Sequence, residues 1–174
     1  SNALNRSFRE FNQSSPSSIL DKTRELVVEY FTKKDSSVYD GMDISLLCIS
    51  KKDKMLYWSG ANSPLWYIQD GQLQVLKANK QPIGKTINAQ PFTTHAIKLE
   101  SDLVVYLFTD GMSDQFGGAE GKKFKSTNLK NLLISLQHKP MQEQLEIIER
   151  SFRDWQGELE QVDDVCMIGL RIIA

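Results

Sequence analysis

Disulfides, imidazole chemistry and membrane spans are what this sequence has least material for. Its 174 residues include two cysteines, two histidines and five prolines. Cys48 and Cys166 each lie inside an apolar, strand-like run, so they read as buried core thiols in a reducing compartment rather than a disulfide framework. His95 in a strand and His138 near Pro140 lack metal-ligand spacing and read as structural or exposed groups. No apolar run approaches the roughly 20 residues of a transmembrane helix, and no signal-peptide pattern is present. A cytoplasmic location with no membrane contact by this segment is therefore the default expectation. An excess of one charge is missing too. The 21 basic and 22 acidic residues are interspersed and leave a net charge of -1, which gives no basis for a nucleic-acid partner.

What remains is ordinary globular material, 40% apolar and 25% charged, in an amount suited to one domain. Ser1-Asn2-Ala3 resembles the scar of a cleaved expression tag, which leaves residues 4–174 as the domain proper. Leu4, Phe8 and Phe11 fall on one helical face, as at the end of a helix whose beginning lies upstream. Ser15 and Pro16 open a second helix reaching about Lys34, with Ser18 and Asp21 resembling a capping box and Ile19 to Phe31 tracing a 3.6-residue stripe.

Strands follow at Met42 to Ser50 and Met55 to Ser59, then at Leu65 to Ile68 and Gln72 to Leu76 around an Asp70-Gly71 turn. Residues 77–91 read as a loop. Phe92 to Leu99 and Leu103 to Phe108 read as a further hairpin, and the glycine- and lysine-rich stretch Gly117 to Lys125 as mobile. Helices are expected from Thr127 to Gln137, with Leu129, Leu132, Leu133 and Leu136 as the apolar face, and from Met141 to Trp155, with Leu145, Ile148, Phe152 and Trp155. The last strand, Val165 to Ile173, is almost continuously apolar and reads as central and covered on both faces. Antiparallel hairpins with segregated helices make this an α+β layered domain.

Carboxylates stand at the strand edges. Asp110 ends the buried run Leu103 to Phe108, Asp163 and Asp164 open the last strand, and Asp40 and Asp43, in Asp-Gly-Met-Asp, stand at the edge of the first. An unpaired charge beside a core is costly, so a strand ending on a carboxylate asks for a cation or a turn amide. Hard divalent cations such as Mg²⁺ and Mn²⁺ take oxygen ligands, and carboxylates on adjacent strands about 5 Å apart can converge on one.

Four segments occur in order: Gly60-Ala61-Asn62-Ser63-Pro64-Leu65, Gln81-Pro82-Ile83-Gly84, Leu107-Phe108-Thr109-Asp110-Gly111, and Gln161-Val162-Asp163-Asp164-Val165. Together they resemble the bacterial serine phosphatases of the stage II sporulation protein E and sigma-factor-regulator type. That group is a branch of the metal-dependent phosphatases of the 2C type. The resemblance runs from Leu4 to Ile173. It implies an α-β-β-α sandwich of two antiparallel sheets flanked by helices, with a binuclear Mn²⁺ or Mg²⁺ centre at one edge. The implied reaction is metal-assisted hydrolysis of phosphoserine or phosphothreonine in a protein, commonly an anti-sigma-factor antagonist. Carried over by position, Asp110 and Asp163 resemble the family's metal ligands, and Asp164 takes the neighbouring place. Asp40 resembles an acidic position used for a weaker additional ion, and Gly111 lets the backbone pass close to the ions. Asp43 and Asp114 receive no assignment and read as surface carboxylates.

The family's first motif, a Gly-Asp followed by a Gly-His-Gly segment, is absent from these residues. Its aspartate bridges the two ions in relatives, so this segment alone is expected to be inactive, with its metal site empty or weakly occupied. The cut would expose sheet edge and the Phe8 and Phe11 face, which makes a homodimer an expectation. Relatives of this kind carry the phosphatase at the cytoplasmic end of a longer, often membrane-anchored sensor. Two other readings compete. A haloacid-dehalogenase-type phosphatase needs an acid two residues after the nucleophilic aspartate, where this chain has Met112. A non-catalytic phosphatase-like sensor or docking module is the stronger alternative, favoured by the missing motif.

Overall fold

The computed structural model describes residues 2–9, 14–33 and 41–173. In chain order the elements are α1 (Asn2–Arg9), α2 (Pro16–Lys33), β1 (Gly41–Met42), β2 (Ile44–Ser50), β3 (Met55–Ala61), β4 (Leu65–Gln69), β5 (Gln72–Leu76), β6 (Ile83–Gly84), β7 (His95–Lys98), β8 (Leu103–Phe108), α3 (Gly111–Asp114), β9 (Phe116–Gly117), β10 (Lys122–Lys123), α4 (Lys125–Leu136), α5 (Met141–Gln156) and β11 (Met167–Ile172). The architecture is α+β, with antiparallel sheets and helices, as the hairpin pattern predicts. Two compact units divide it. One takes the residues up to Leu65 with Leu76–Glu100, the other Trp66–Val75 with the residues from Ser101 onward.

In the first unit β2, β3 and β7 form an antiparallel sheet in the order β2-β3-β7. β2 and β3 are a hairpin in register from Ile44↔Ala61 to Ser50↔Met55. The turn places Lys54 at φ 50, and the Ser50 hydroxyl closes it by donating to Asp53 at 2.8 Å. α2 packs on β2 and β3 and buries Ile19, Leu20, Thr23, Leu26 and Val27 of the predicted stripe, whereas Tyr30 near its end is 55% exposed. Its cap differs from the Ser18 and Asp21 pattern. The Ser15 hydroxyl accepts the Ser18 N–H at 3.2 Å, and the Ser18 hydroxyl bonds back to the Ser15 carbonyl at 2.9 Å. Asp21 instead accepts the Phe92 N–H at 3.2 Å and pairs with Arg24 at 2.9 Å. On α1 the buried position is Ser7, whose hydroxyl accepts from Thr23, while Phe8 is 60% exposed. Phe11, Lys34 and Asp40 lie outside the described residues.

One loop reading and one hairpin reading need correction. The span 77–91 contains a short strand, β6, paired with β1 through Gly41↔Gly84 and Met42↔Ile83. Gln81 holds it by bonding both polar groups of the Gln90 backbone, at 2.6 and 3.0 Å. The expected hairpin of Phe92–Leu99 with Leu103–Phe108 does not form. β7 pairs with β3, through Trp58↔His95 among others, and β8 belongs to the other sheet. A short polar connection signals a turn but not which strands pair across it.

The second sheet has the order β11-β8-β4-β5. β4 and β5 turn through Asp70 (φ 49) and Gly71 (φ 76), the positive angles that match strand twist. A core of Trp66, Ile68, Val104, Tyr106, Met112, Phe124, Leu129 and Leu133 fills this unit, with Ile148, Phe152 and Trp155 packed against it. Leu129, Leu133 and Leu136 of α4 are buried as predicted. β9 and β10 pair as a short antiparallel ladder where mobility is expected. β11 is an edge strand among the described residues, not a central one. Ile168 is 51% exposed and Cys166, expected in the core, is exposed. Cys48 is half-buried, and burial raises its thiol pKa.

On α5 the buried position is Gln144 rather than Leu145, which is 56% exposed. Gln144 is inside because the buried Tyr106 hydroxyl donates to its Oε1 at 2.7 Å, while its Nε2 donates to the Lys139 carbonyl at 3.0 Å. Burial raises the Tyr106 pKa to about 12, partly offset by the Arg171 charge and the Gln144 bond. The neutral phenol's contribution is fully present below its ordinary value near 10 and is lost as pH rises through about 12. Tyr106→Phe leaves the buried Gln144 acceptor unpaired and should cost about 1–3 kcal/mol in urea unfolding. It should also remove the alkaline stability loss, and an unchanged loss between pH 10 and 12 would point to a different group.

Candidate metal centre

β8 carries the central carboxylate. Its first four residues, Leu103 to Tyr106, are fully buried, and exposure rises only at its end, so Thr109 and Asp110 emerge from the core into solvent. The register with β11 runs from Leu103↔Ile172 to Phe108↔Met167. One further bond, from the Thr109 N–H to the Cys166 carbonyl at 3.0 Å, extends it toward Asp110. The two strand ends that bear acidic residues therefore meet.

Thr109 seals the junction. Its hydroxyl donates to the Asp164 carbonyl at 2.7 Å and accepts the Cys166 N–H at 3.0 Å. Gly111 is in direct contact across the gap, because a Cβ there would lie 2.4 Å from the Asp164 carbonyl oxygen and 2.9 Å from its carbon. Only glycine permits that approach. Sequence reasoning included Thr109 in a motif but gave it no task. Its hydroxyl, spanning two positions of the partner strand, has no signature in composition or periodicity.

Asp110 stands at the start of α3. An aspartate there commonly caps the helix with its side chain, yet this one makes no such bond, and α3 is instead closed by the Asp110 carbonyl, which accepts from Asp114 N–H and Ser113 hydroxyl at 2.9 Å each. Its exposed carboxylate has no hydrogen bond or ion pair among the described residues. Asp163 accepts the Asp164 N–H at 2.7 Å with one carboxylate oxygen, and Asp164 is exposed beside it.

The other acidic candidates within the described residues have partners of their own. Asp114 pairs with Lys123 at 3.0 Å, and Asp43 accepts from the Asn62 amide at 2.8 Å, which fixes the turn after β3. Asp40 lies outside the described residues, so its expected place is not visible. His95 rests against Trp58 with ring centroids 5.4 Å apart, and His138 is exposed, in keeping with structural or surface roles.

The donor set suits a hard cation. Asp110, Asp163 and Asp164 offer carboxylate oxygens with no cationic side chain paired to them among the described residues. Gly111 removes the side chain that would otherwise fill the space between their backbones. Mg²⁺-like ions use one or two protein carboxylates and keep several waters, a preference these oxygen donors match in kind. Among the described residues no three acidic, cysteine or histidine side chains group to hold an ion by themselves.

A second buried feature was missed entirely. Gln115, directly after α3, is fully buried and its amide bonds the backbone of Glu160 at 2.8 Å and of Val162 at 3.2 Å. A lone glutamine before two glycines carries no pattern that would single it out.

Comparison with known proteins identifies the family and the fold. The family model described as stage II sporulation protein E (SpoIIE) matches residues 2–173. Among solved structures the chain is similar to the SiaA-PP2C domain of Pseudomonas aeruginosa, with a TM-score of 0.87 and 26% identity over 98% of this chain and 66% of that one. It is also similar to the PP2C phosphatase domain, with a fragment of the regulatory domain, of SpoIIE from Bacillus subtilis, with a TM-score of 0.74 and 14% identity over 98% and 48%. The RsbU and RsbW domains of a Mycobacterium tuberculosis protein match with a TM-score of 0.67 and 14% identity over 97% and 44%. The chain thus spans about two thirds of the first of these and about half of the other two. No curated protein matches. With a family match over nearly its whole length and the fold of the 2C-type phosphatases, the chain belongs to the stage II sporulation protein E family.

Proposed function

We propose that the protein containing this segment is a metal-dependent protein serine/threonine phosphatase, and that Asp110 and Asp163 are its cation ligands here. The observation that carries the reading is the β8–β11 register, which delivers Asp110 and the Asp163-Asp164 pair to the same end of one sheet with Gly111 against Asp164. Asp110 and Asp163 would hold the ion, Asp164 would support it from the adjoining position, and Thr109 fixes the spacing of the two segments. A bound Mn²⁺ or Mg²⁺ supplies positive charge to the phosphoryl oxygens and lowers the pKa of a water nucleophile. Neither cysteine is needed in such a scheme.

The substrate proposed is a phosphoserine or phosphothreonine protein of the anti-sigma-factor-antagonist kind. Two observations support it, the family match and the likeness to the RsbU and RsbW domains. Asp40 is proposed as a ligand of a further, weaker ion. Among the described residues no helix is long and apolar enough to cross a membrane. A cytoplasmic site of action, self-association and placement at the end of a longer sensor belong to the same proposal. On this reading residues 4–174 form one catalytic domain that works only with an upstream bridging carboxylate.

Hydrolysis of p-nitrophenyl phosphate with and without Mn²⁺ tests both parts. The full-length protein should be active only with the ion, and the 174-residue segment should be at least about 100-fold slower, the scale of losing a main electrostatic contributor. Equal rates would refute the dependence on an upstream ligand. No Mn²⁺-dependent activity in the full-length protein would favour the non-catalytic docking module.

A further inference from the structure

We infer that Gln115 is a positioning residue that sets the Asp163 segment against Asp110, an inference that rests on the cation-site reading above. The stretch from Gly157 to Cys166 contains neither helix nor strand, and Glu158 to Asp164 are all exposed. Packing anchors its end, through Val165 and the close approach of Gly111 to Asp164, and the exposed residues before that depend on specific hydrogen bonds. Gln156 and Gln161 make local ones, to the Leu159 and Asp163 carbonyls, and two side chains from the Asp110 region tie the stretch to the rest of the protein. Thr109 binds at Asp164 and Cys166, and Gln115 binds at Glu160 and Val162. Asp163 is held between the two clamps.

The clamps also flank Asp110 in sequence, Thr109 immediately before it and Gln115 just after the short α3. Each carboxylate segment is therefore fastened to the other on both sides of its acidic residue. Gln115 is itself anchored. Its amide Nε2 also donates to the Phe116 carbonyl at 3.0 Å, and its own carbonyl accepts from the Phe124 N–H at 2.9 Å and the Trp155 indole at 3.1 Å. The task needs a donor and an acceptor on one side chain of this length. Glutamate lacks the donor, and asparagine is shorter by one methylene.

This arrangement separates positioning from stability. The Glu160 and Val162 groups that Gln115 binds lie on exposed residues, where water can replace a lost partner. Removing the amide should therefore release the segment without unfolding the protein. Gln115→Met in the full-length protein, titrated with Mn²⁺ by electron paramagnetic resonance, should raise the Kd about 10- to 100-fold, as loss of a residue that orients metal ligands does. Amide hydrogen exchange should quicken at Val162 to Asp164 and stay slow in β8, with the melting temperature nearly unchanged. A wild-type Kd in a folded Gln115→Met protein overturns the inference. If that variant does not fold, Val162→Pro removes the single N–H that Gln115 accepts, from a residue whose side chain is exposed. The same rise in Kd supports the inference and a wild-type Kd overturns it. Asp110→Ala is the separate control. Should it bind Mn²⁺ as tightly as wild type, the cation-site reading fails, which is a different result from Gln115→Met alone matching wild type.

Discussion

Asp110→Ala in the full-length protein is expected to lower Mn²⁺-dependent turnover of a phosphoserine peptide by at least about 100-fold, the scale seen when a main electrostatic contributor to a transition state is removed. Stability should move by no more than about 0.5 kcal/mol, as for a surface substitution that breaks no cap, core contact or ion pair. The argument for a large functional effect with a small structural one is local. The Asp110 carboxylate is exposed, has no partner among the described residues and does not cap α3, whose first turn is closed by the Asp110 backbone carbonyl. Alanine keeps that carbonyl. A folding role would have shown itself as a hydrogen bond, and the adjacent Thr109 shows what one looks like, with its hydroxyl bonded at 2.7 and 3.0 Å across the strand. Turnover within about threefold of wild type, roughly 0.65 kcal/mol, would remove Asp110 from the site. A loss of turnover accompanied by a large fall in melting temperature would give it a structural task instead.

The same contrast explains what could be read from the sequence. Asp110 was legible because a buried apolar run ends on it abruptly, and the β4–β5 hairpin because Asp70-Gly71 has little use other than a tight turn. These are local signals. The errors concern partners. The apolar run of β11 predicts a central strand, but an apolar sequence does not tell how many neighbours a strand has, and β8 alone pairs with it among the described residues. Closeness in sequence predicts a hairpin of β7 with β8, yet the hydrogen bonds of β7 go to β3. Gln144 displaced Leu145 from the covered face of α5 because a tyrosine hydroxyl waits there, a fact that belongs to β8 and not to the helix. Gln115 and Thr109 fall in the same class. Their value lies in bonds to residues some 45 to 57 positions away. The carboxylates of the candidate site were legible, and the side chains that hold them together were not.

Gly117→Ala should be the most damaging small substitution in the second unit. A Cβ at Gly117 would stand 1.8 Å from the Trp155 carbonyl oxygen and 2.5 Å from its carbon, both backbone atoms at the end of α5 that cannot swing aside. The β9–β10 ladder would have to lift away. That breaks the Gly118 N–H bond to the Trp155 carbonyl at 2.7 Å and strains the Trp155 indole bond to the Gln115 carbonyl. Overpacking of this sort costs about 1–3 kcal/mol and more where backbone must move, so a loss of about 3 kcal/mol in urea unfolding is expected. Gly121→Ala supplies the comparison. Gly121, unlike Gly117, has a positive φ, 58, and nothing lies within 4 Å of its would-be Cβ. It should lose only the backbone term, about 1–2 kcal/mol for an L-residue in the left-handed region. Equal costs for the two would mean that the contact with Trp155 is not tight. A larger cost at Gly117, with weakened Mn²⁺ binding where Gly121→Ala binds normally, ties the end of α5 to the carboxylate site through Gln115. The cation site would then depend on how the hairpin packs, beyond the ligands themselves.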